Sequence, residues 1–319
     1  ALTLAIVAKT LFSIDLEAHA AEIEAALTTV LEHFNRLLSP YRALLTRLPL
    51  PSTRRFHAAA AVLDRLVFRM IDDRRKSRQD VGDVLSMLLV AQDTEGDGAG
   101  MTDRQVRDEV MTLFTAGHET IATALGWTWY ALSQNPAVEA EMLRELDCVL
   151  GGRTPTALDL PRLRYTEMVF AESMRLYPPV WAMTRRAVAD YPVGGYVIPA
   201  GSSLGMSQFV MQRDPRFFPD PATFDPLRWT PAATADRPKY SYFPFGGGPR
   251  LCIGEIFARQ EGILVLATLC QHWQASLVPT ARIDFQPLIT LRARHGLPMI
   301  VSRRTPRPPN HWPKEVVDV

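Results

Sequence analysis

Residues 245–254 read FGGGPRLCIG. Three glycines and a proline ahead of Cys252 exclude a helix or a packed core segment. Glycine supplies positive-φ backbone and leaves room for a flat cofactor to lie against the chain. Beyond the cysteine, residues 255–271 carry Ile256, Ile263, Leu264 and Ala267 on one face of an expected helix. A cysteine just ahead of a helix meets the positive end of its dipole and the free amides of its first turn, and Arg250 adds a fixed positive charge. Those surroundings suit a thiolate ligand. A single cysteine needs a metal that brings most of its own coordination, as haem iron does.

Other readings of the glycines fail on spacing. A dinucleotide fingerprint requires a third glycine where Leu251 stands, and a phosphate loop requires a Gly-Lys-Ser/Thr that is absent. The plain alternative is a glycine-rich surface loop around a buried free cysteine.

A second stretch, 116–120, reads AGHET inside the longest apolar run, 110–132. That run has a membrane-like length, but His118 and Glu119 at its middle point to a buried functional helix. Leu113, Ala116, Gly117, Thr120 and Ala124 share one helical face. Two small residues leave room there, and Gly117 with Thr120 is expected to distort the backbone ladder. Glu119 and Thr120 form an acid–alcohol pair able to relay protons into a dry pocket. A zinc-protease HExxH would need histidine at Ala122, so His118 is read as structural or pocket-lining.

Both stretches resemble the cytochrome P-450 family, the haem-thiolate monooxygenases. Phe245, Gly248, Arg250, Cys252 and Gly254 match the cysteine-ligand pattern F-x-x-G-x-R-x-C-x-G. Residues 116–120 are similar to the family's oxygen-binding A-G-x-[DE]-T. Glu172 and Arg175 match its E-x-x-R pair, and Pro226, Arg228 and Trp229 its P-x-R-W-like stretch. The resemblance implies a charge network of Glu172, Arg175 and Arg228 that shapes the cysteine loop.

It further implies haem b, iron protoporphyrin IX, with Cys252 as axial thiolate favouring O–O cleavage. Phe245, Gly246, Ala116 and Gly117 would line the cofactor. Arg250 and Arg185 would bind its two carboxylates, since a guanidinium offers them a bidentate fork; Arg186, next to Arg185, is the competing choice. Glu119 and Thr120 would be catalytic. Leu113, Phe114, Val180, Trp181 and Ile289 would wall a pocket for a small apolar substrate, lipid, terpenoid or polyketide-like, beside O2.

The expected fold is mainly α with small β-sheets, the P-450 fold with its N-terminal region missing, in one domain over 1–319. The resemblance runs from residue 1 to about 303. The family's W-x-x-x-R propionate site has no counterpart, because no tryptophan precedes Trp127. The chain alone is therefore expected to hold haem poorly. The implied reaction is hydroxylation or epoxidation, with electrons from NAD(P)H through a ferredoxin or flavodoxin and its reductase. The alternatives are a peroxygenase or isomerase of the same haem-thiolate type, or a non-catalytic remnant.

Composition bounds the rest. The 319 residues, 47% hydrophobic and 22% charged, can bury a sizeable core. A net charge of +1 gives no case for nucleic acid or an anionic membrane surface. Three scattered cysteines, Cys148, Cys252 and Cys270, indicate no disulfide framework and fit a reducing cytoplasm. Residues 1–8 are too short for a signal segment. A cytoplasmic monomer is expected.

Helices are expected over 11–38, 56–75, about 103–134, 137–150 and 161–176. Irregular chain is expected over 39–54 and a polar loop over 93–103, with Thr102 or Asp103 as the following helix cap. Residues 188–206 read as short strands around a Gly-Gly turn, 215–231 as irregular, and 277–301 as a last set of short strands.

Overall fold

Apolar residues at three- and four-residue spacing build two helices where one was expected near the start. These are α1 (Leu2–Phe12) and α2 (Ala20–Leu37). Ser13, in the left-handed region at φ 57°, stops α1. The structure, a computed structural model, describes residues 1–16, 19–37, 50–93 and 98–306, without the side chains of 34–37. Most of the expected irregular stretch 39–54 and part of the 93–103 loop lie outside the described residues. The described chain forms two compact units, Ala1–Thr120 and Ile121–Val319.

In the first unit α3 (Pro51–Ser77) exceeds the expected 56–75 at both ends, because Pro51 opens it. Proline suits a first helical position, where its missing N–H would be unpaired anyway. The periodicity over 56–75 marked only the helix's buried stripe. A short α4 (Val84–Val90) follows, unforeseen because seven residues carry little periodic signal. Its cap, Asp83, accepts the Ser86 N–H at 2.8 Å. Arg74 of α3 grips the Asp83 carboxylate with both terminal nitrogens (2.6 and 2.7 Å) and donates to the Ser86 hydroxyl. Phe12 of α1, fully buried, stacks on Phe114 with ring centroids 4.6 Å apart.

The long helix α5 (Asp103–Gln134) ends one residue before Asn135, as its spacing predicts. Thr102 caps it reciprocally: its hydroxyl accepts the Gln105 N–H at 3.3 Å, and the Gln105 side chain accepts the Thr102 N–H at 2.9 Å.

The second unit continues with α6 (Pro136–Leu150) and α7 (Arg164–Leu176). The helix expected from 161 begins later, since Pro161 lies in a separate 3₁₀ segment, Ala157–Arg162, and Leu163 breaks the path. Glu145 of α6 holds the start of α7 by accepting the N–H groups of Tyr165 and Thr166 (2.7 and 2.8 Å) and the Thr166 hydroxyl.

Four two-stranded antiparallel ribbons follow. The strands are β1 (Met183–Arg186), β2 (Tyr191–Val193), β3 (Tyr196–Ile198), β4 (Ser203–Met206), β5 (Trp273–Leu277), β6 (Phe285–Pro287), β7 (Leu291–Ala293) and β8 (Met299–Arg303), paired β1–β4, β2–β3, β5–β8 and β6–β7. Gly194 and Gly195, at φ 57° and 82°, make the β2–β3 turn, where both central residues need positive φ. The last helix, α8 (Glu255–Cys270), packs on α7 through Gly262, where any side chain would collide with the Phe170 ring. Trp127, fully buried, donates to the Leu291 carbonyl at 2.6 Å and stacks on Tyr177 at 4.9 Å.

Among the described residues no helix is long and apolar enough to cross a membrane.

Candidate active site

The glycine loop takes its shape from its backbone. Gly246 and Gly248 sit at φ 78° and 69°, strained for any other residue. Gly247 is extended, and a side chain on it would come within 2.6 Å of the Tyr240 ring. The Cys252 N–H donates to the Phe245 carbonyl at 3.0 Å and closes the loop. The Glu255 N–H then meets the Cys252 carbonyl at 3.4 Å, and α8 begins.

The three thiols differ in setting. Cys252 is exposed. Cys270 is buried in α8, and burial pushes its thiol up to about 12. Cys148 is half-buried and raised too, mainly by burial. Ile253, 94% exposed, flanks the Cys252 thiol, with Leu251 and Ile256 also exposed. Of the residues expected on one face of this helix, Ile263 and Ala267 are buried, whereas Ile256 lies exposed on the first turn.

This arrangement fits haem. Among the described residues no cluster of three or more His, Cys, Asp or Glu side chains could hold a bare metal ion. One exposed thiol amid open apolar side chains and glycine backbone suits an iron whose macrocycle supplies four ligands and a flat apolar face.

Arg250 ends the 3₁₀ turn Gly248–Arg250 and is exposed. Arg185, on β1 opposite Leu204, is exposed as well and donates to the Thr184 carbonyl at 2.9 Å. Arg186 follows it on the strand and so projects to the other face.

Glu172 and Arg175 of α7 are both 0% exposed and join in a two-pronged pair, with Nε to Oε2 at 2.8 Å and Nη2 to Oε1 at 2.7 Å. The remaining arginine donors reach the carbonyls of Gln212, Pro221 and Thr223. Glu172 also accepts the Asp225 N–H and the Trp229 indole N–H, both at 3.0 Å. Arg228 lies 3.5 Å from Glu172, an ion-pair distance, but its Nε forms no hydrogen bond there and its Nη2 serves the Asp220 carbonyl. Arg228 thus joins the network by charge, as expected, and the neighbouring Trp229 adds a hydrogen bond to the carboxylate that was not expected. Four donors, two from Arg175 and one each from Asp225 and Trp229, fill the carboxylate.

In the first unit, Thr120 donates its hydroxyl to the Ala116 carbonyl at 2.6 Å within an unbroken α-helix, so the expected interruption of the ladder is absent. Such back-bonding satisfies the hydroxyl without opening a turn. Gly117 serves packing, since a side chain there would come within 2.9 Å of a Val7 methyl of α1. Ala116, one residue earlier, is exposed. His118 is buried and hydrogen-bonded to the Thr3 hydroxyl through Nδ1 at 2.7 Å, a structural role. Glu119, Thr120 and Leu113 are half-buried. Phe114, only 2% exposed and stacked on Phe12, belongs to the core and leaves the expected pocket wall.

Of the other expected wall residues, Val180 and Trp181 lie beside the β6–β7 turn that carries Ile289. The Trp181 indole donates to the Leu288 carbonyl at 2.7 Å, and the Leu291 N–H donates to the Pro179 carbonyl at 2.9 Å. These bonds tie Val180 and Trp181 to the β6–β7 turn, whose Ile289 is 40% exposed.

Known proteins resemble this chain over most of its length. The Cytochrome P450 family pattern matches residues 1–296. Cyclooctatin synthase of Streptomyces melanosporofaciens is 45% identical over 92% of this chain and 64% of its own length. Pentalenene oxygenase of Streptomyces avermitilis is 35% identical over 94% and 66%. The solved haem domain of cytochrome P450DA superposes with a TM-score of 0.84 at 27% identity, covering 96% of this chain and 67% of that one. The chain belongs to the cytochrome P450 family, whose members carry haem b on a cysteine thiolate. It spans just under two thirds of the length of these two relatives.

Proposed function

We propose that the protein acts as a haem-thiolate monooxygenase. It inserts one atom of O2 into an apolar organic substrate and reduces the other to water. In balance, a substrate C–H, O2, two electrons and two protons give C–OH and H2O; an alkene gives an epoxide by the same count. The exposed Cys252 thiol in its glycine loop is the observation that carries this reading.

Bound haem would supply the activation of O2 that no protein side chain can. Cys252 would hold its iron, and Arg250 and Arg185 would pair with its carboxylates. Thr120 holds a proton at Oγ1, resting on the Ala116 carbonyl, and turning the hydroxyl aims that proton at the reacting oxygen. Glu119, one residue before it, resupplies the proton. Glu172 and Arg175 do no chemistry; they fix the chain around Asp225 and Trp229.

Leu113, Val180, Trp181 and Ile289 would face the substrate. A lipid, terpenoid or polyketide-like molecule suits such walls, and the names of the relatives favour a carbocyclic skeleton. Electrons would come from NAD(P)H through a ferredoxin or flavodoxin and its reductase. One domain over 1–319, working as a cytoplasmic monomer, completes the proposal; the uninterrupted family match supports the single domain.

The test is the spectrum of the reduced, haem-loaded protein under carbon monoxide. Haem iron held by a thiolate gives a CO complex whose Soret band is strongly red-shifted, and Cys252→Ser should remove that shift. A variant that keeps it would overturn the assignment.

A further inference from the structure

We infer that Arg259, oriented by Glu255 and seated over Phe245, is a positioning residue for the Cys252 loop. The inference rests on Cys252 being the axial thiolate. Phe245 is the fixed end of that loop, because its carbonyl takes the Cys252 N–H at 3.0 Å. A shift of Phe245 therefore carries the thiol with it.

The Phe245 ring is not locked by a core. It is half-buried, makes no ring–ring contact among the described residues, and borders a cavity of about 240 Å³ walled in part by Lys239, Tyr240, Phe243 and Leu251. An aromatic ring beside a void has lost the contacts that would hold it. What covers it is the Arg259 guanidinium, whose central carbon lies 5.0 Å from the ring centroid. That guanidinium is aimed in turn by Glu255, whose Oε1 accepts from Arg259 Nε at 3.1 Å and Nη2 at 2.9 Å. Glu255 is the first residue of α8, and its N–H meets the Cys252 carbonyl. Ring, guanidinium and carboxylate thus form a closed circuit with the Cys252 backbone, anchored on the first turns of α8.

A half-exposed i,i+4 ion pair contributes little to overall stability. Its value here is orientation. The planar guanidinium can meet a carboxylate along one edge and an aromatic face with its plane, which an ammonium cannot.

Two quantities test this in the haem-loaded, full-length protein: the fraction of the reduced CO complex lacking the thiolate-type band, and the rate of haem transfer to an acceptor protein. Arg259→Met should raise both about threefold to tenfold. Glu255→Gln should raise them less, and the double variant should match Arg259→Met alone, since the pair acts as one unit. Arg259→Lys keeps the charge without the plane and should recover less than half of the loss. Phe245→Leu provides a background without a ring, in which Arg259→Met should change nothing further. Wild-type values for Arg259→Met, or an undiminished effect in the Phe245→Leu background, would overturn the inference while leaving the haem-thiolate reading intact. A parent protein that never shows the thiolate-type band would overturn both.

Discussion

Three cysteines of identical chemistry have three fates in this chain, and the backbone around each decides which. Cys270 and Cys148 lie within helices, where burial disfavours the charged form. Cys252 leaves its loop exposed because Gly246 and Gly248 turn the chain through positive φ. Cys148→Ser and Cys270→Ser should therefore keep the thiolate-type CO spectrum and cost on the order of 1–2 kcal/mol in packing, read by thermal melting. Thr120→Ala removes a hydroxyl that donates to the Ala116 carbonyl of its own helix, so folding should barely change. Coupling of NAD(P)H consumption to product should fall several-fold, with peroxide making up the difference, and Thr120→Ser should restore most of it. Coupling at the parent level would reduce Thr120 to pocket lining.

At the scale of one element, α7 shows how a short helix is fixed from outside. Its first amides are capped by Glu145 from α6, and near its other end Arg175 is tied to three carbonyls and to Glu172. Glu145→Ala should cost roughly 1–3 kcal/mol, because two amides and a hydroxyl lose their acceptor. Removing Glu172 or Arg175 leaves the other charge buried and unpaired, a loss of roughly 3–5 kcal/mol. Insoluble or haem-free protein is expected for Arg175→Ala, in contrast to the folded but uncoupled Thr120→Ala. A soluble, haem-replete Arg175→Ala with an unchanged melting temperature would contradict that account.

Across the molecule, two carboxyls, one in each unit, should respond to pH with opposite sign. In Ala1–Thr120, burial of Asp83 opposes ionisation, but Arg74, Ser86 and Ser13 outweigh it and hold the carboxyl well below its usual range. Its stabilising contribution is present above about pH 4 and is lost on acidification. In Ile121–Val319, Glu261 of α8 is buried, neither carboxyl oxygen has a hydrogen-bond partner among the described residues, and burial pushes it up to about 7. Between its ordinary value of 4.5 and about 7, the unfolded chain has released this proton while the folded one retains it, so stability falls as pH rises. Hydrogen exchange read by peptide should show the first unit loosening toward low pH and α8 loosening toward pH 7. Glu261→Gln should flatten the second dependence; a dependence that survived would place its origin elsewhere.

Family, cofactor type and the cysteine loop were legible in the sequence because they rest on local chemistry. Glycine at positive φ, a thiol before a helix and an acid–base pair three residues apart are short-range patterns. The ends of α5 and the Gly194–Gly195 turn were legible for the same reason. Which neighbours claim each side chain was not local. Val7 against Gly117, Phe12 against Phe114, Trp229 beside Arg228 on Glu172, and Arg259 over Phe245 are all contacts made in space. A sequence states what a residue can do; only the packing of distant segments decides whether the space beside it is open for a cofactor or already filled.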